Sequence, residues 1–380
     1  MSKNFKNCIR SDSSLSVKID GNEIIIPYFK IEPMTFLNKS VIIYGPSGSG
    51  KTTILKYIMY IMKDIFPLVL VFNPTNSMKH DFNNIVPSAL IHESVSLNIL
   101  NSVYQRQQIS AQIYNEVNKF ENLENLFYKI ASPEHYNYTN ELERLRDNSI
   151  KKVELQDYPE IKKKEKRNEI NEAFIRQCCT YYKNIIHKER ESLKQQNLTN
   201  EERRILLYLW HNPHTLMVFD DTTSELLELI KKSNRINKDI EGNIIKNLFF
   251  KNRHVKLTHL YTFHDDRGID SDIRKNAFYS IFATAQGAKA YFDRSTNNFS
   301  KYEKKIAESI INTVFNDGPK YAKLLYSRDP INEHQFYYII AEQCPEFKMC
   351  SKNAWQFCNQ VYIPDSVNPG NKFTKRFMNL

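Results

Sequence analysis

The feature that most constrains this chain is a glycine-rich segment, GPSGSGKT, at residues 45–52. The chain has only nine glycines, and three of them, Gly45, Gly48 and Gly50, fall within this short stretch. The segment matches the pattern G-x-x-x-x-G-K-[ST] at every fixed position. It follows the apolar run VIIY and precedes apolar residues spaced at three- and four-residue steps. We therefore predict a buried strand, a tight loop and a helix from Thr52 to Ile65.

The composition of this loop is typical of a phosphate-binding site. Glycine readily adopts the backbone conformations that turn consecutive N–H groups toward an anion, and the positive end of the next helix faces the same anion. We expect Lys51 to reach the β- and γ-phosphates of a nucleoside triphosphate, and Thr52 to bind Mg²⁺. The alternative is a glycine-rich turn with a chance lysine. The predicted nucleotide-binding residues are Gly45, Pro46, Ser47, Gly48, Ser49, Gly50, Lys51, Thr52 and Thr53.

A second apolar run, LMVFDD at residues 216–221, ends in two acids. An acid at the end of a buried strand beside the loop strand can hold Mg²⁺ and its water shell, and we assign this role to Asp220. Asp221 then lies where a carboxylate can orient or deprotonate an attacking water. The alternative is that both acids begin a loop or cap the helix that starts at Thr223. The predicted cofactors are ATP and Mg²⁺.

Another apolar run, LTHLYTFH at residues 257–264, predicts a strand between the loop strand and the acidic strand. Such a strand is expected in ATPases that have an added catalytic carboxylate. His264, at its carboxyl end, could contact the γ-phosphate or the attacking water. A buried or capping histidine is the alternative.

The order of the predicted elements indicates the fold class. Strands are also predicted near residues 22–36, 68–73 and 277–284, and a late hairpin near 321–342. Strands that alternate with helices predict an α/β fold, with a mostly parallel central sheet and helices on both faces. Residues from about 100 to 210 contain no glycine and many charged and amide side chains, which predicts a helical insertion.

The overall composition excludes some classes of protein. The formal net charge of +10 fits a polyanionic partner, although a generally lysine- and asparagine-rich composition explains it equally well. No apolar stretch reaches the ~18 residues that span a bilayer, so we expect no membrane insertion. The start of the sequence lacks the apolar core of a secretory signal. The six cysteines show no CxxC pair and no zinc spacing, which favours a reducing compartment.

The block NLFFKNRHVKLTHLYTFHDDRGIDSDIRKNAFYSIFAT at residues 247–284, taken with GPSGSGKTT and LMVFDD, resembles the FtsK–HerA superfamily of DNA-pumping ATPases. Within it, the chain is most similar to genome-packaging ATPases of large eukaryotic DNA viruses, which include the poxvirus-type enzyme and its relatives in giant viruses and virophages. The resemblance implies a P-loop NTPase core of the RecA-like ASCE type. It also implies a RecA-like ATPase domain over residues 1–345 that contains the insertion, followed by a C-terminal tail over 346–380.

The resemblance supports the site residues named above and adds a catalytic arginine. Arg253, in KNRHVK, matches the family arginine that can reach the ATP of a neighbouring subunit, where it stabilises charge on the γ-phosphate. Arg274, in DIRKN, is the second candidate, and a solvated surface arginine is the alternative for Arg253. The family usually has glutamine where this chain has His264, and either side chain can hydrogen-bond a phosphate oxygen. The predicted catalytic residues are thus Lys51, Asp221, Arg253 and His264.

Partners follow from the same resemblance. It implies double-stranded DNA, a homo-oligomeric ring (pentamer or hexamer) and capsid or portal-vertex proteins, with the chain in the virion and the host-cell cytoplasm. Basic side chains that hold DNA phosphates without reading bases are candidates for the DNA contact. These candidates are Lys162, Lys163, Lys164, Lys166, Arg167, Lys231 and Lys232, with Tyr181 and Tyr182 as either core residues or DNA contacts. Glutamates alternate with the first group, so a charged helix face is the alternative there.

Three functions remain open from the sequence. The first is a motor that packages viral DNA, and the second is a related DNA-translocating or helicase-like ATPase. The third is a structural switch that binds nucleotide without hydrolysing it. The tandem acid Asp221 argues against the third function, because a switch needs no water-activating carboxylate.

Overall fold

The structure is a computed structural model that describes residues 14–75, 81–236, 247–248, 250–267, 269 and 271–361. It divides into two compact units. The first unit contains the described residues up to Gln108 and those from Pro213 onward, and the second runs from Ile109 to Asn212.

The first unit is built on an eight-stranded sheet with the order β10-β9-β8-β3-β7-β6-β4-β5. Six of these strands are parallel, whereas β9 is antiparallel to β8 and β10. This arrangement confirms the predicted mostly parallel sheet and the late hairpin. The strands are β1 (Leu15–Ile19), β2 (Asn22–Ile26), β3 (Ser40–Tyr44), β4 (Leu68–Phe72), β5 (Ile91–His92), β6 (Thr215–Asp220), β7 (Leu257–Phe263), β8 (Tyr279–Phe282), β9 (Lys323–Ser327) and β10 (Phe336–Ile339), with β1 and β2 forming a separate hairpin.

Most helices lie in the connections between strands, and one follows the last strand. They are α1 (Lys51–Ile61), α2 (Leu97–Val117), α3 (Phe120–Tyr128), α4 (Pro133–Glu154), α5 (Glu160–Lys188), α6 (Arg190–Lys194), α7 (Asn200–Leu207), α8 (Thr223–Ile236), α9 (Ser271–Asn276), α10 (Ala285–Asp293), α11 (Lys301–Asn312) and α12 (Lys352–Val361). The chain moves one way across the sheet from β3 to β4 and the other way from β6 through β7 to β8. Because such crossovers are right-handed, α1 lies on one face, and α8 and α9 lie on the other.

The central strands are buried from end to end. Every residue of β3, β4, β6 and β7 is buried, as expected for parallel strands that are covered by helices on both faces. Three rings stack across neighbouring strands, with centroids 4.9 Å apart for Phe72 and Phe219 and 4.8 Å apart for Phe219 and Tyr261. Such cross-strand pairs hold the register of the sheet.

The second unit is helical and has its own core. Buried apolar side chains from α3, α5 and α7 pack together, and the rings of Phe127 and Tyr182 stack with centroids 4.4 Å apart. Tyr182 is only 2% exposed, so it is a core residue. Tyr181 is half-buried beside Tyr138, whose ring centroid is 4.3 Å away.

Some local predictions differ from the structure. The helix α1 ends at Ile61 and turns continue to residue 65, whereas we predict a helix to Ile65. The two-residue strand β5 and the helix α12 are not predicted at all. The segment before α12 is anchored in the first unit, because Met349 is buried and its N–H donates to the Ile85 carbonyl at 2.8 Å.

We predict that Ile42→Ala destabilises the first unit by about 2–5 kcal/mol, because it leaves a cavity in the middle of the sheet. Ile42 is 0% exposed in β3. Ile25→Ala is the matched control, since Ile25 is 48% exposed on β2 and should cost well under half as much. Urea unfolding followed by circular dichroism measures both, and equal losses would contradict the described burial.

Candidate nucleotide-binding site

The carboxyl ends of four parallel strands meet at one edge of the sheet. In register, Tyr44 of β3 pairs with Phe263 of β7, and Thr262 of β7 pairs with Asp220 of β6. The Gly45 N–H donates to the Phe263 carbonyl at 3.0 Å, so the glycine-rich loop starts level with the end of β7. The strand β7 therefore lies between the loop strand and the acidic strand, as the sequence predicts.

The three glycines of the loop meet two different physical needs. Gly48 and Gly50 have φ angles of +74° and +91°, which side chains with a Cβ rarely adopt. Gly45 instead sits in a crowded place. A Cβ there would lie 2.5 Å from Ser49 Oγ and 2.7 Å from Ala283 Cβ. A side chain with a Cβ would be strained at Gly48 and Gly50 and crowded at Gly45, so glycine is favoured at all three positions.

Lys51 lies beneath the loop that precedes it. Its side chain is buried, and its ammonium donates to the carbonyl oxygens of Gly45 at 2.7 Å and Pro46 at 3.1 Å. Ser49 Oγ donates to the same Pro46 oxygen at 2.8 Å, which closes the turn. A buried positive charge at the base of the loop favours an anion in the loop above it.

The start of α1 lacks a side-chain cap. Four other helices, α4, α7, α10 and α11, begin at a serine or threonine whose side chain accepts an N–H of the first turn. The N-cap of α1 is Gly50, which gives no side-chain bond, and the first turn has no acid. The first N–H groups of a helix have no partner within the helix and carry partial positive charge. A phosphate is a suitable partner for them.

Asp220 is buried at the end of β6 and fixed through both carboxylate oxygens. Thr262 Oγ1 donates to Oδ1 at 2.5 Å, and Asn73 Nδ2 donates to Oδ2 at 3.3 Å. Burial raises the pKa of Asp220, the charges of Asp221 and Asp81 add to that effect, and Thr262 and Lys51 oppose it. A buried carboxylate that is costly to ionise is stabilised by a cation, so this acid fits Mg²⁺.

Asp221 has an unusual backbone conformation. Its φ is +55°, and its N–H donates to Thr262 Oγ1 at 3.1 Å. Its Oδ1 lies 3.3 Å from His264 Nε2, without the geometry of a hydrogen bond. This oxygen is buried and accepts no hydrogen bond from the described residues. A polar atom of this kind has capacity to bind a water or a ligand.

His264 is the exposed side chain of the site, and a separate cleft opens next to the start of α1. The His264 side chain is 53% exposed, so it can approach a ligand without unfolding the strand end. A cleft of about 1080 Å³ opens beside Thr52 and Thr53 in the first turn of α1. Residues 342–348 and Trp355 also line this cleft, whereas residues 45–51, Asp220, Asp221 and His264 do not.

The donor set fits a magnesium ion that arrives with a nucleotide. The described part of the chain contains no group of three or more His, Cys, Asp or Glu side chains placed to hold a metal alone. The candidate ligands are a hydroxyl on Thr52 and the carboxylate of Asp220. Mg²⁺ in nucleotide sites commonly takes one or two protein oxygens and completes its shell with phosphates and waters.

The two candidate arginines differ in where they lie. Arg253 is exposed before β7, and its guanidinium Cζ is 4.9 Å from the Phe278 ring centroid. Arg274 is buried and donates to the carbonyl oxygens of Asp266 and Ile269 and to Thr296 Oγ1. Arg274 therefore stabilises its own subunit and is a poor candidate for a residue that reaches a neighbour.

Most basic side chains proposed to contact DNA from α5 are paired locally. Arg167 pairs with Glu154 at 2.9 Å, Lys163 pairs with Glu160 at 3.8 Å, and Lys166 donates to the Tyr158 hydroxyl at 3.0 Å. Lys162 lies over the Tyr158 ring, 4.7 Å from its centroid. These contacts favour the charged helix face over a DNA contact. Lys164 and Lys231 are exposed, and the side chain of Lys232 lies outside the described residues.

Two residues that hydrogen-bond Asp220 were not predicted from the sequence. Thr262 is polar within the apolar strand β7, and Asn73 is the polar residue that follows β4. A polar residue at the carboxyl end of a buried parallel strand is the signal that could have identified both.

The chain is similar along most of its length to a protein of African swine fever virus. It is 29% identical to "Uncharacterized protein B354L" of that virus in an alignment 364 residues long, which covers 91% of this chain and 95% of the relative. No family model matches the chain. No helix among the described residues is both long and apolar enough to cross a membrane.

Solved structures of two nucleotide-dependent systems are also similar. One is the genome packaging NTPase B204 from Sulfolobus turreted icosahedral virus 2, with 11% identity, 81% of this chain and 98% of that chain covered, and a TM-score of 0.32. The other is the pCW3 conjugation coupling protein TcpA with ATPγS, with 11% identity, 94% and 72% covered, and a TM-score of 0.33. At such TM-scores these similarities assign no residue a role.

We predict that Asp220→Asn raises the melting temperature at pH 7.5 by roughly 2–4 °C. Because the folded-state pKa of Asp220 is raised from 3.8, ionising this carboxyl costs stability as the pH rises through the folded pKa. The gain should shrink as the pH falls through the raised folded-state pKa, because the wild-type carboxyl then becomes protonated.

Asp329→Asn is the matched control, with the opposite sign. Burial opposes ionisation of Asp329, but hydrogen bonds from Lys39 and Tyr279 hold its pKa below the ordinary value. This substitution should therefore lower the melting temperature at pH 7.5. A wild-type protein more stable than Asp220→Asn at that pH would contradict the account of Asp220.

Proposed function

We propose that this chain is an ATPase that uses ATP hydrolysis to move double-stranded viral DNA into a capsid. The main support for the proposal is that the glycine-rich loop and two tandem acids lie at the same edge of the sheet, where α1 begins without a side-chain cap. Asp220 is fixed through both oxygens, while Asp221 keeps a buried oxygen without a hydrogen bond from the described residues. A site that only holds nucleotide needs the first acid and not the second.

Each residue of the site has a chemical task in this proposal. The loop N–H groups and the Lys51 ammonium bind the β- and γ-phosphates, and Thr52 and Asp220 hold the magnesium ion. The ion neutralises charge on the phosphates. Asp221 orients a water for attack in line with the γ-phosphate and accepts its proton. His264 hydrogen-bonds that water or a γ-phosphate oxygen.

Arg253 suggests that subunits act on one another's nucleotide. It precedes β7, whereas the chain's own phosphate loop lies at the carboxyl end of the same parallel layer. A strand of this length separates the two edges by about 20 Å, beyond the reach of an arginine side chain. An exposed arginine there can complete a neighbour's site. The sequence resemblance implies that the subunits form a homo-oligomeric ring, a pentamer or hexamer.

The DNA and capsid assignments rest on the sequence resemblance and on the viral relative. The block at residues 247–284 resembles viral packaging ATPases, and the similar protein of African swine fever virus spans nearly the whole chain. We therefore propose duplex DNA and capsid or portal-vertex proteins as partners. The proposed locations are the virion and the host-cell cytoplasm.

We predict that the purified protein hydrolyses ATP and that linear duplex DNA stimulates the rate. Lys51→Ala should abolish nucleotide binding, and Asp221→Asn should lower turnover by about 100-fold or more while binding persists. Steady-state phosphate release with and without DNA measures this. Nucleotide binding without turnover under any condition would favour a structural switch. Strand separation of a forked duplex would favour a helicase-like motor.

We also predict that Arg253→Ala lowers turnover by about 1,000-fold, because positive charge at the neighbour's γ-phosphate is lost. Lys251→Ala is the matched control, since Lys251 is exposed only two residues away and should keep full turnover. In an equal mixture of Arg253→Ala and Asp221→Asn subunits, some interfaces combine an intact Asp221 from one subunit with an intact Arg253 from its neighbour. About one quarter of randomly formed interfaces should be of this kind and should regain activity. Absence of any recovery in assembled mixtures would show that Arg253 does not act between subunits.

A further inference from the structure

One buried hydroxyl connects the two acids of the site. Thr262 is 0% exposed in β7, with a strand on each side. Its Oγ1 donates to Asp220 Oδ1 at 2.5 Å and accepts the Asp221 N–H at 3.1 Å. A hydroxyl has one donor and two acceptor sites, so a single threonine can make both bonds at once.

Both bonds act on groups that need support. Asp220 is a buried carboxylate, and the Thr262 hydrogen bond lowers its pKa against the effect of burial. Asp221 has a φ of +55°, a region that residues other than glycine enter at a cost unless the surroundings fix it. The bond from its N–H ties that conformation to β7, and the Asp221 carboxylate then lies beside His264.

Valine would be the ordinary residue at this position. The remainder of β7 is mostly apolar, and β-branched apolar side chains suit a buried parallel strand. Threonine has almost the same shape as valine but brings a polar atom into the sheet interior, where it is favourable only when it is hydrogen-bonded. Here both of its bonds go to the tandem acids.

We propose that Thr262 is a positioning residue that sets the orientation of both acids, Asp220 toward magnesium and Asp221 toward the attacking water. The expected effects on magnesium binding and on the attacking water rest on the proposed function, whereas the two hydrogen bonds of Thr262 do not require nucleotide. One side chain thus couples the acid that holds the ion to the acid that acts on water. Loss of its hydroxyl should disturb both together.

Thr262→Val removes the hydroxyl and keeps the shape, and Thr262→Ser restores the hydroxyl. Thr258→Val is the matched control. Thr258 is also 0% exposed in β7, four residues earlier on the same face, and its Oγ1 accepts the Asn38 N–H at 2.7 Å. The two valine variants should lose similar stability in thermal unfolding, so effects confined to Thr262→Val report on the acids and not on the sheet.

The first measurement is hydrogen–deuterium exchange at the Asp221 amide in the full-length protein without nucleotide. Thr262→Val should speed its exchange by about tenfold or more, whereas Thr258→Val should leave it unchanged and Thr262→Ser should keep it protected. Unchanged protection in Thr262→Val, or an equal loss in Thr258→Val, would overturn the proposal.

The second measurement is the affinity for a fluorescent ADP with Mg²⁺ and with EDTA. The increase in ADP affinity that Mg²⁺ brings should be about tenfold smaller in Thr262→Val than in the wild type, because the metal ligand Asp220 has lost a hydrogen-bond partner. The affinity measured in EDTA should be unchanged. A full magnesium effect in this variant would overturn the role in ion binding. If the wild-type protein binds no ADP, the proposed function is wrong, and the exchange result still decides whether Thr262 positions the acids.

Discussion

The burial of Asp220 at the edge of the sheet is the constraint on which the rest of the site depends. A carboxylate in this position loses hydration, and the neighbouring strands replace it with bonds from Thr262 and Asn73. Those bonds exist only because β7 and β4 flank β6 in this order and register. The order and register of the parallel strands therefore hold the Asp220 carboxyl at the carboxyl edge of the sheet, where the glycine-rich loop also begins.

The same edge combines features that each reduce stability alone. Asp221 has a positive φ, Lys51 is a buried cation and α1 starts without a side-chain cap. Natural proteins retain such features mainly at functional sites, where the energy lost in the free protein is recovered in the ligand complex. A magnesium nucleotide would supply an anion for the loop, the lysine and the helix start, and a cation for Asp220. This complementarity unites the separate observations.

Local sequence patterns were sufficient to predict the loop and the tandem acids, because each depends on a few adjacent residues. The position of β7 between β3 and β6 was also predictable, although only through the class of ATPase that the acids suggest. The bond between Thr262 and Asp220 was not predictable, since it depends on the register of strands 42 residues apart. The burial of Arg274 was not predictable either, because it depends on contacts with Asp266, Ile269 and Thr296 that form only in the folded chain.

The most direct test of the account is calorimetric titration of the protein with ATPγS in the presence of Mg²⁺. We predict saturable binding of one nucleotide per chain, which weakens strongly when Mg²⁺ is removed and is lost in a chain without the Lys51 ammonium. No heat of binding at millimolar nucleotide, or equal binding without that ammonium, would contradict the assignment of residues 45–52 and Asp220 as a nucleotide site.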